Sequence, residues 1–216
     1  LYSASSHGNV ANVTMSVTSL DEPGSDGLTQ AQITNEVIRV VVSGGQWPLG
    51  KRVIERFKND GGFEVHEVNQ STDAIDSPLD VFVHLAPGDH DALVERRRSA
   101  VIGTPELLHA ATVQGAKHVV LLSSAMVYGA WPNNPIPLTE ETALRPDFGF
   151  AFARQLATVE QLVDDWRESS ADRGVCVLRP VPAMAADGAS SLVRALAAGM
   201  GGRLGEDDVP AQFLHL

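Results

Sequence analysis

Cysteine occurs once in this chain, at Cys176, which excludes an internal disulfide and any cysteine-based metal cluster. That thiol lies in the apolar run Val175-Cys176-Val177-Leu178, so the expectation is a buried, inert side chain rather than a nucleophile. Aromatic residues make up only 6% of the chain, and Tyr2 and Tyr128 are its two tyrosines. Phenol-based proton transfer therefore has few candidate donors. No apolar run reaches the roughly 18 residues that cross a bilayer. A basic-then-apolar leader of the secretory type is absent as well, so the expectation is a soluble, cytoplasmic protein. Positive charge is in deficit: 16 Lys and Arg against 27 Asp and Glu give a net charge of −11. That balance argues against nucleic acid and acidic membrane as partners.

With 216 residues and 44% hydrophobic content, the chain suits one doubly wound α/β domain with a real core. Its organising stretch is Val37 to Phe57. Val37, Ile38, Val40, Val41 and Val42 form a β-branched run, which predicts a strand buried on both faces. Ser43, Gly44 and Gly45 break that run. Leu49, Val53, Ile54 and Phe57 then follow at helical spacing. Strand, glycine turn and amphipathic helix make the first βα unit of a dinucleotide-binding fold, where the helix N-terminus offers N–H donors to a pyrophosphate. The turn Ser43-Gly44-Gly45-Gln46-Trp47-Pro48-Leu49-Gly50 departs from T-G-x-x-G-x-x-G, because Trp47 takes the middle glycine's place. A βα turn that binds nothing is an equal alternative on this motif.

Residues 1–35 are rich in Ser, Thr, Asn, Gly and Asp and are expected to form a tail, with residues 36–216 as the domain. Met15 is a candidate native start, with the residues before it as an added leader. Gly61-Gly62 closes the first helix. Phe63, Val65 and Val68 predict a second strand ending near Asn69, which stands where this fold keeps an acid for the adenosine ribose. Asn69 can bond a hydroxyl without the charge-assisted contact, and no arginine in that turn awaits a 2′-phosphate. Asp80 to Pro87 predicts a third strand, Asp91 to Gln114 a helix, and His118 to Ser123 a fourth strand. The histidines show no H-x-x-x-H or H-E-x-x-H spacing, so no metal site is expected.

Several of these segments resemble the NAD-dependent epimerase/dehydratase family, the extended short-chain dehydrogenases. HLAP at 84–87 resembles its HLAA, AVIGTPELLHAA its NVxGTxNLLEAA, and GAKHVVLLSSAMVYG its GVKRxVxxSSxxVYG. The run to Leu178-Arg179-Pro180 resembles its V-L-R-P, and Gln212 to Leu216 a shortened F-x-H-V-D-D strand, expected at or near the edge of the sheet in parallel register. The resemblance spans roughly residues 37–216. It implies a three-layer sandwich with a Rossmann-type parallel sheet. It also implies an NAD or NADP site built from Gly44, Gly45, Trp47, Leu49, Gly50, Asn69, Leu85 and Ala86, a sugar-nucleotide ligand and a homodimer.

The resemblance also implies chemistry, and here the chain departs from the family. Family members move hydride with a tyrosine acid/base, a lysine four residues later that lowers the tyrosine pKa, and a serine on the same substrate oxygen. Ser124 stands at the serine position, with a strand-end hydroxyl satisfying local backbone as the equal alternative. The Y-x-x-x-K-x-x-x-E helix maps onto Phe152 to Glu160, placing Phe152 at the tyrosine and Leu156 at the lysine. A shifted register pairs Phe150 with Arg154 and still brings no hydroxyl. Tyr128 belongs to the VYG segment, whose ring packs by the site without transferring the proton. The stripe Leu156, Val159, Leu162, Val163, Trp166 is core or dimer face. The family's C-terminal substrate domain finds no counterpart before Leu216. The expectation is a non-catalytic, pseudoenzyme-like domain that binds a nucleotide weakly or not at all, as a scaffold or regulatory part of a longer protein. An active enzyme with an atypical proton donor and a protein-interaction domain without ligand stay open as alternatives.

Overall fold

β-branched and apolar runs too short for helices become the strands of one parallel sheet. The structure is a computed structural model that describes residues 37–68, 75–85 and 94–181, with residues 183–184, 198 and 214–215. The chain divides into two units at Thr34–Asn35, and all of this lies in the second. The elements run β1 (Ile38–Ser43), α1 (Pro48–Asn59), β2 (Phe63–Val68), β3 (Val81–Leu85), α2 (Val94–Val113), β4 (His118–Leu122), α3 (Ala151–Glu168) and β5 (Gly174–Leu178). Two short strands follow, β6 (Ala183–Met184) and β7 (Leu214–His215).

The five-stranded sheet has the order β2-β1-β3-β4-β5, with every pair parallel. Alternation along the strands divides the core between two faces. Val41, Phe82, Val119 and Leu121 pack with Leu107, Leu108 and Ala111 of α2 and with Val159, Val163 and Trp166 of α3. Val40, Val42, Val83 and Leu85 pack with Ile54 of α1 on the opposite face. The architecture is therefore a three-layer α/β sandwich, as the sequence predicts. The α3 stripe through Val159, Val163 and Trp166 is core, so the dimer-face alternative for those residues falls away. Trp166 Nε1 donates to Thr112 Oγ1 at 2.8 Å and ties α3 to α2.

At the amino end of the sheet, Arg39 and Asp80 join β1 to β3 through a bidentate pair at 2.8 and 3.0 Å and a backbone N–H on the same carboxylate at 2.9 Å. Pro at the start of α1 suits a helix whose first N–H groups lack intrahelical partners.

Two sequence expectations need correction here. Cys176 is exposed, not buried. Val175 and Val177 face the α2/α3 core, so alternation turns Cys176 to the other face, and α1 packs against β1 and β2 rather than β5. The end strand is parallel, but Leu214 and His215 pair with Ala183 and Met184 in a separate two-stranded sheet. The rest of the predicted terminal strand, the tail at 1–35, Asn69 and Ala86 lie outside the described residues. Among the described residues no helix is long and apolar enough to cross a membrane.

Candidate nucleotide site

The strand order reverses between β1 and β3, and the carboxyl ends of those strands border the crevice where open α/β sheets take ligands. The glycine turn and Leu85 meet there. Gly44 has φ +80°, a conformation that costs a side-chain-bearing residue, and a methyl on it would lie 2.5 Å from the Leu85 carbonyl oxygen. A methyl on Gly45 would lie 2.5 Å from Ile54 Cδ1 and 2.6 Å from the Glu67 carboxyl carbon. On Gly50 it would land on the Gly44 carbonyl. Close backbone approach of the turn to β3 and to the start of α1 thus requires Gly44 and Gly50 on its own account, whereas at Gly45 the neighbours are the ends of flexible side chains. Trp47 is the residue that caps α1: its backbone is extended, its N–H donates to Gly44 O at 3.2 Å, and its carbonyl accepts from Lys51 N at 2.9 Å. Trp47 and Leu49 are half-buried.

The turn is anchored from below by a buried histidine. In parallel register Ser43 stands beside His84. His84 Nδ1 shares a 2.6 Å hydrogen bond with Ser43 Oγ, and its Nε2 one of 3.0 Å with Thr104 Oγ1 of α2. Burial pushes the imidazole pKa down to about 4, so the ring is neutral at pH 7.

Beyond the carboxyl end of β4, Ser124 caps a 3₁₀ turn over Ala125–Tyr128, and its Oγ accepts from Met126 N at 3.3 Å. That contact is the local-backbone role the sequence left as one of two alternatives. Phe152 and Leu156 are buried at 5% and 3% exposure in an apolar cluster with Val127 and Tyr128, with Leu144, Ala125 and Met126 packed against it. The structure therefore brings Ser124, Phe152 and Leu156 into one neighbourhood, with hydrocarbon at the two helix positions.

Three groups escaped the sequence reading. Arg179 at the end of β5 grips Glu160 of α3 with Nε and Nη2, the shortest contact being 2.8 Å, and Glu160 is only 5% exposed. Its Nη1 donates to Tyr128 Oη at 2.8 Å and to Glu140 O at 3.2 Å. The signal was a charged residue inside each of two apolar stretches, because a buried charge needs a partner. The second is His84, flanked by Val83 and Leu85 within a buried strand. The third is the Glu67 carboxylate near the end of β2, which lies against Gly45.

A family model described as the NAD dependent epimerase/dehydratase family matches residues 40–204. The chain belongs to the NAD-dependent epimerase/dehydratase family. No curated protein matches. Among solved structures, it is similar to RMD from Pseudomonas aeruginosa complexed with NADPH, with 20% identity and a TM-score of 0.59, covering 82% of this chain and 70% of that one. It is also similar to a short-chain dehydrogenase/reductase superfamily protein from Agrobacterium tumefaciens with bound NAD, at 24% identity and TM-score 0.57, over 68% of this chain and 50% of that one. UDP-N-acetylglucosamine 4-epimerase from Bacillus cereus matches at 20% identity and TM-score 0.55, over 68% and 55%. At these identities the likeness is one of fold. The chain spans only about half the length of the last two proteins.

Proposed function

We propose that this epimerase/dehydratase-family chain is a nucleotide-binding or scaffold domain that keeps the family fold without its proton relay, serving a longer protein. One observation carries the proposal: Phe152 and Leu156 sit in an apolar cluster where a hydroxyl and an ammonium would have to act. A phenyl ring has no transferable proton, and leucine brings no charge to lower a neighbour's pKa. The ligand class is a dinucleotide or nucleotide-sugar, on the strength of the crevice between β1 and β3 and of the cofactors named for the similar structures. Trp47 in place of a glycine adds bulk beside the pyrophosphate position and weakens binding. Calorimetry with NAD and NADP is expected to give dissociation constants near millimolar; about 4 kcal/mol separates that from micromolar. No hydride transfer is expected from sugar nucleotides or simple alcohols. Low-micromolar affinity would sink the weak-binding claim, and steady NADH production lost in Ser124→Ala would sink the non-catalytic one.

A second reading has one observation in its favour. Tyr128 Oη accepts from the Arg179 guanidinium at 2.8 Å, the cation-beside-phenol arrangement an alternative proton donor would use. Tyr128 is 6% exposed, which works against that role. Turnover that survives Ser124→Ala but disappears in Tyr128→Phe would favour it. A homodimer is also proposed, through the outer face of α2, where Ile102 and Val113 are exposed. Light scattering at two concentrations tests it.

A further inference from the structure

At the carboxyl end of the sheet the apolar core between strands and α2/α3 gives way to a polar layer. Ser43, His84 and Thr104 form its hydrogen-bonded part. Ser123 is the first residue past β4, its N–H still bonded to Leu178 O of β5 at 2.7 Å, so the strand's alternation carries on and turns it to the same side as Leu121, toward α2 and α3. Gln155 precedes Val159 by one helical turn on α3, and Val159 packs in the same core as Leu121. The crossover from β4 to the parallel β5 brings the start of α3 to the carboxyl end of β4. Position thus sets Ser123 and Gln155 at one level of the fold, on facing elements.

Both are unsatisfied. Ser123 Oγ and Gln155 Oε1 are the two buried side-chain polar atoms, among the described residues, that lack a hydrogen-bond partner. Ser123 is only 6% exposed. A buried polar atom left unpaired is costly, and Ser123 has a hydroxyl that could donate directly to the Gln155 oxygen. It does not, so the two stand too far apart or too poorly aligned for a direct bond. A polar gap between a hydroxyl and an acceptor is what a buried water fills, typically with about three hydrogen bonds.

We propose that the interior between β4 and α3 holds a bound water shared by Ser123 Oγ and Gln155 Oε1. The water donates a hydrogen bond to the Gln155 oxygen and accepts one from the Ser123 hydroxyl, which satisfies both atoms. The site lies directly behind the altered relay, since Ser123 precedes Ser124 and Gln155 precedes Leu156. It does not depend on nucleotide binding.

The sign of a stability change tests it. If the water is there, Ser123→Ala and Gln155→Met each strip it of a partner, and each lowers Tm, by about 2–6 °C. The double variant falls no further than the worse single one, because both lose the same water. If the two atoms are simply unpaired, Ser123→Ala removes a buried orphan and Tm stays level or rises, which overturns the proposal. Additive losses overturn the sharing of one site. A crystal structure resolving waters gives a second readout. Density within hydrogen-bond distance of both atoms supports the site, and a direct Ser123–Gln155 bond or empty density refutes it.

Discussion

Leu156 shows at the scale of one residue what an apolar neighbourhood would do to a charge placed in it. The side chain is 3% exposed among Phe152, Val127 and Tyr128. A lysine there would lose hydration, and the nearest buried carboxylate, Glu160 one turn along α3, is already paired with Arg179, so its folded-state pKa would fall. The unfolded chain would then bind the extra proton, and stability would rise with pH through the window between the two pKa values. Leu156→Lys is expected to cost several kcal/mol at pH 7. The loss should shrink as the pH approaches the normal lysine pKa of about 10.4. Urea unfolding at pH 7 and pH 9.5 checks this, and a pH-independent loss would point to packing alone. His84 obeys the same sign. Its folded pKa of about 4 lies below the usual 6.5, so its contribution is complete above pH 6.5 and is lost as the pH falls toward 4. The arithmetic allows on the order of 3 kcal/mol. Asp80 is also held below its usual value, by Arg39, so its contribution is lost at still lower pH. Stability of wild type and His84→Gln, compared from pH 7 to pH 4.5, should show the slope in the first and a flatter curve in the second.

Among elements, the tie between α3, β5 and the 3₁₀ turn rests on Arg179. Glu160 is nearly fully buried while the Arg179 side chain is 21% exposed, so losing the arginine strands a carboxylate in the interior. Arg179→Met is expected to cost about 3–5 kcal/mol, and Arg179→Met with Glu160→Met much less, because two apolar groups leave no unpaired charge. A double-mutant cycle by chemical denaturation measures it, and equal losses in single and double variants would show that the cost does not come from a stranded carboxylate. Helix positions were legible from apolar spacing, since α1 and α3 each bury one stripe. The pairing of Arg179 with Glu160 was not, because residues 19 apart in the chain meet only when α3 folds back along β5.

For the molecule as a whole, charge should discriminate between cofactors. The net charge is −11, and the Glu67 carboxylate lies against Gly45 of the glycine turn. A 2′-phosphate would bring two further negative charges into that field. NAD is therefore expected to bind more tightly than NADP at low salt. The gap should narrow in Glu67→Gln and on raising ionic strength, where screening shortens the range of the field. Calorimetry at 20 and 200 mM salt reads both effects, and equal affinities in wild type at low salt would refute the expectation.

The sequence by itself determined the sheet, the helices around it and the family, because hydrophobic periodicity and glycine placement are local signals. It also determined that residues 152 and 156 are Phe and Leu, and hence that a phenol and an ammonium are missing there. Only the tertiary structure decided what surrounds those positions. It put Phe152 and Leu156 in hydrocarbon, gave Ser124 Oγ a backbone N–H to accept, and turned Cys176 out to solvent. It also placed the Glu67 carboxylate against Gly45 and His84 between two hydroxyls. Each depends on which strand lies beside which and which face a helix covers. Those are long-range facts, settled when the chain closes its core, and no short window of residues contains them.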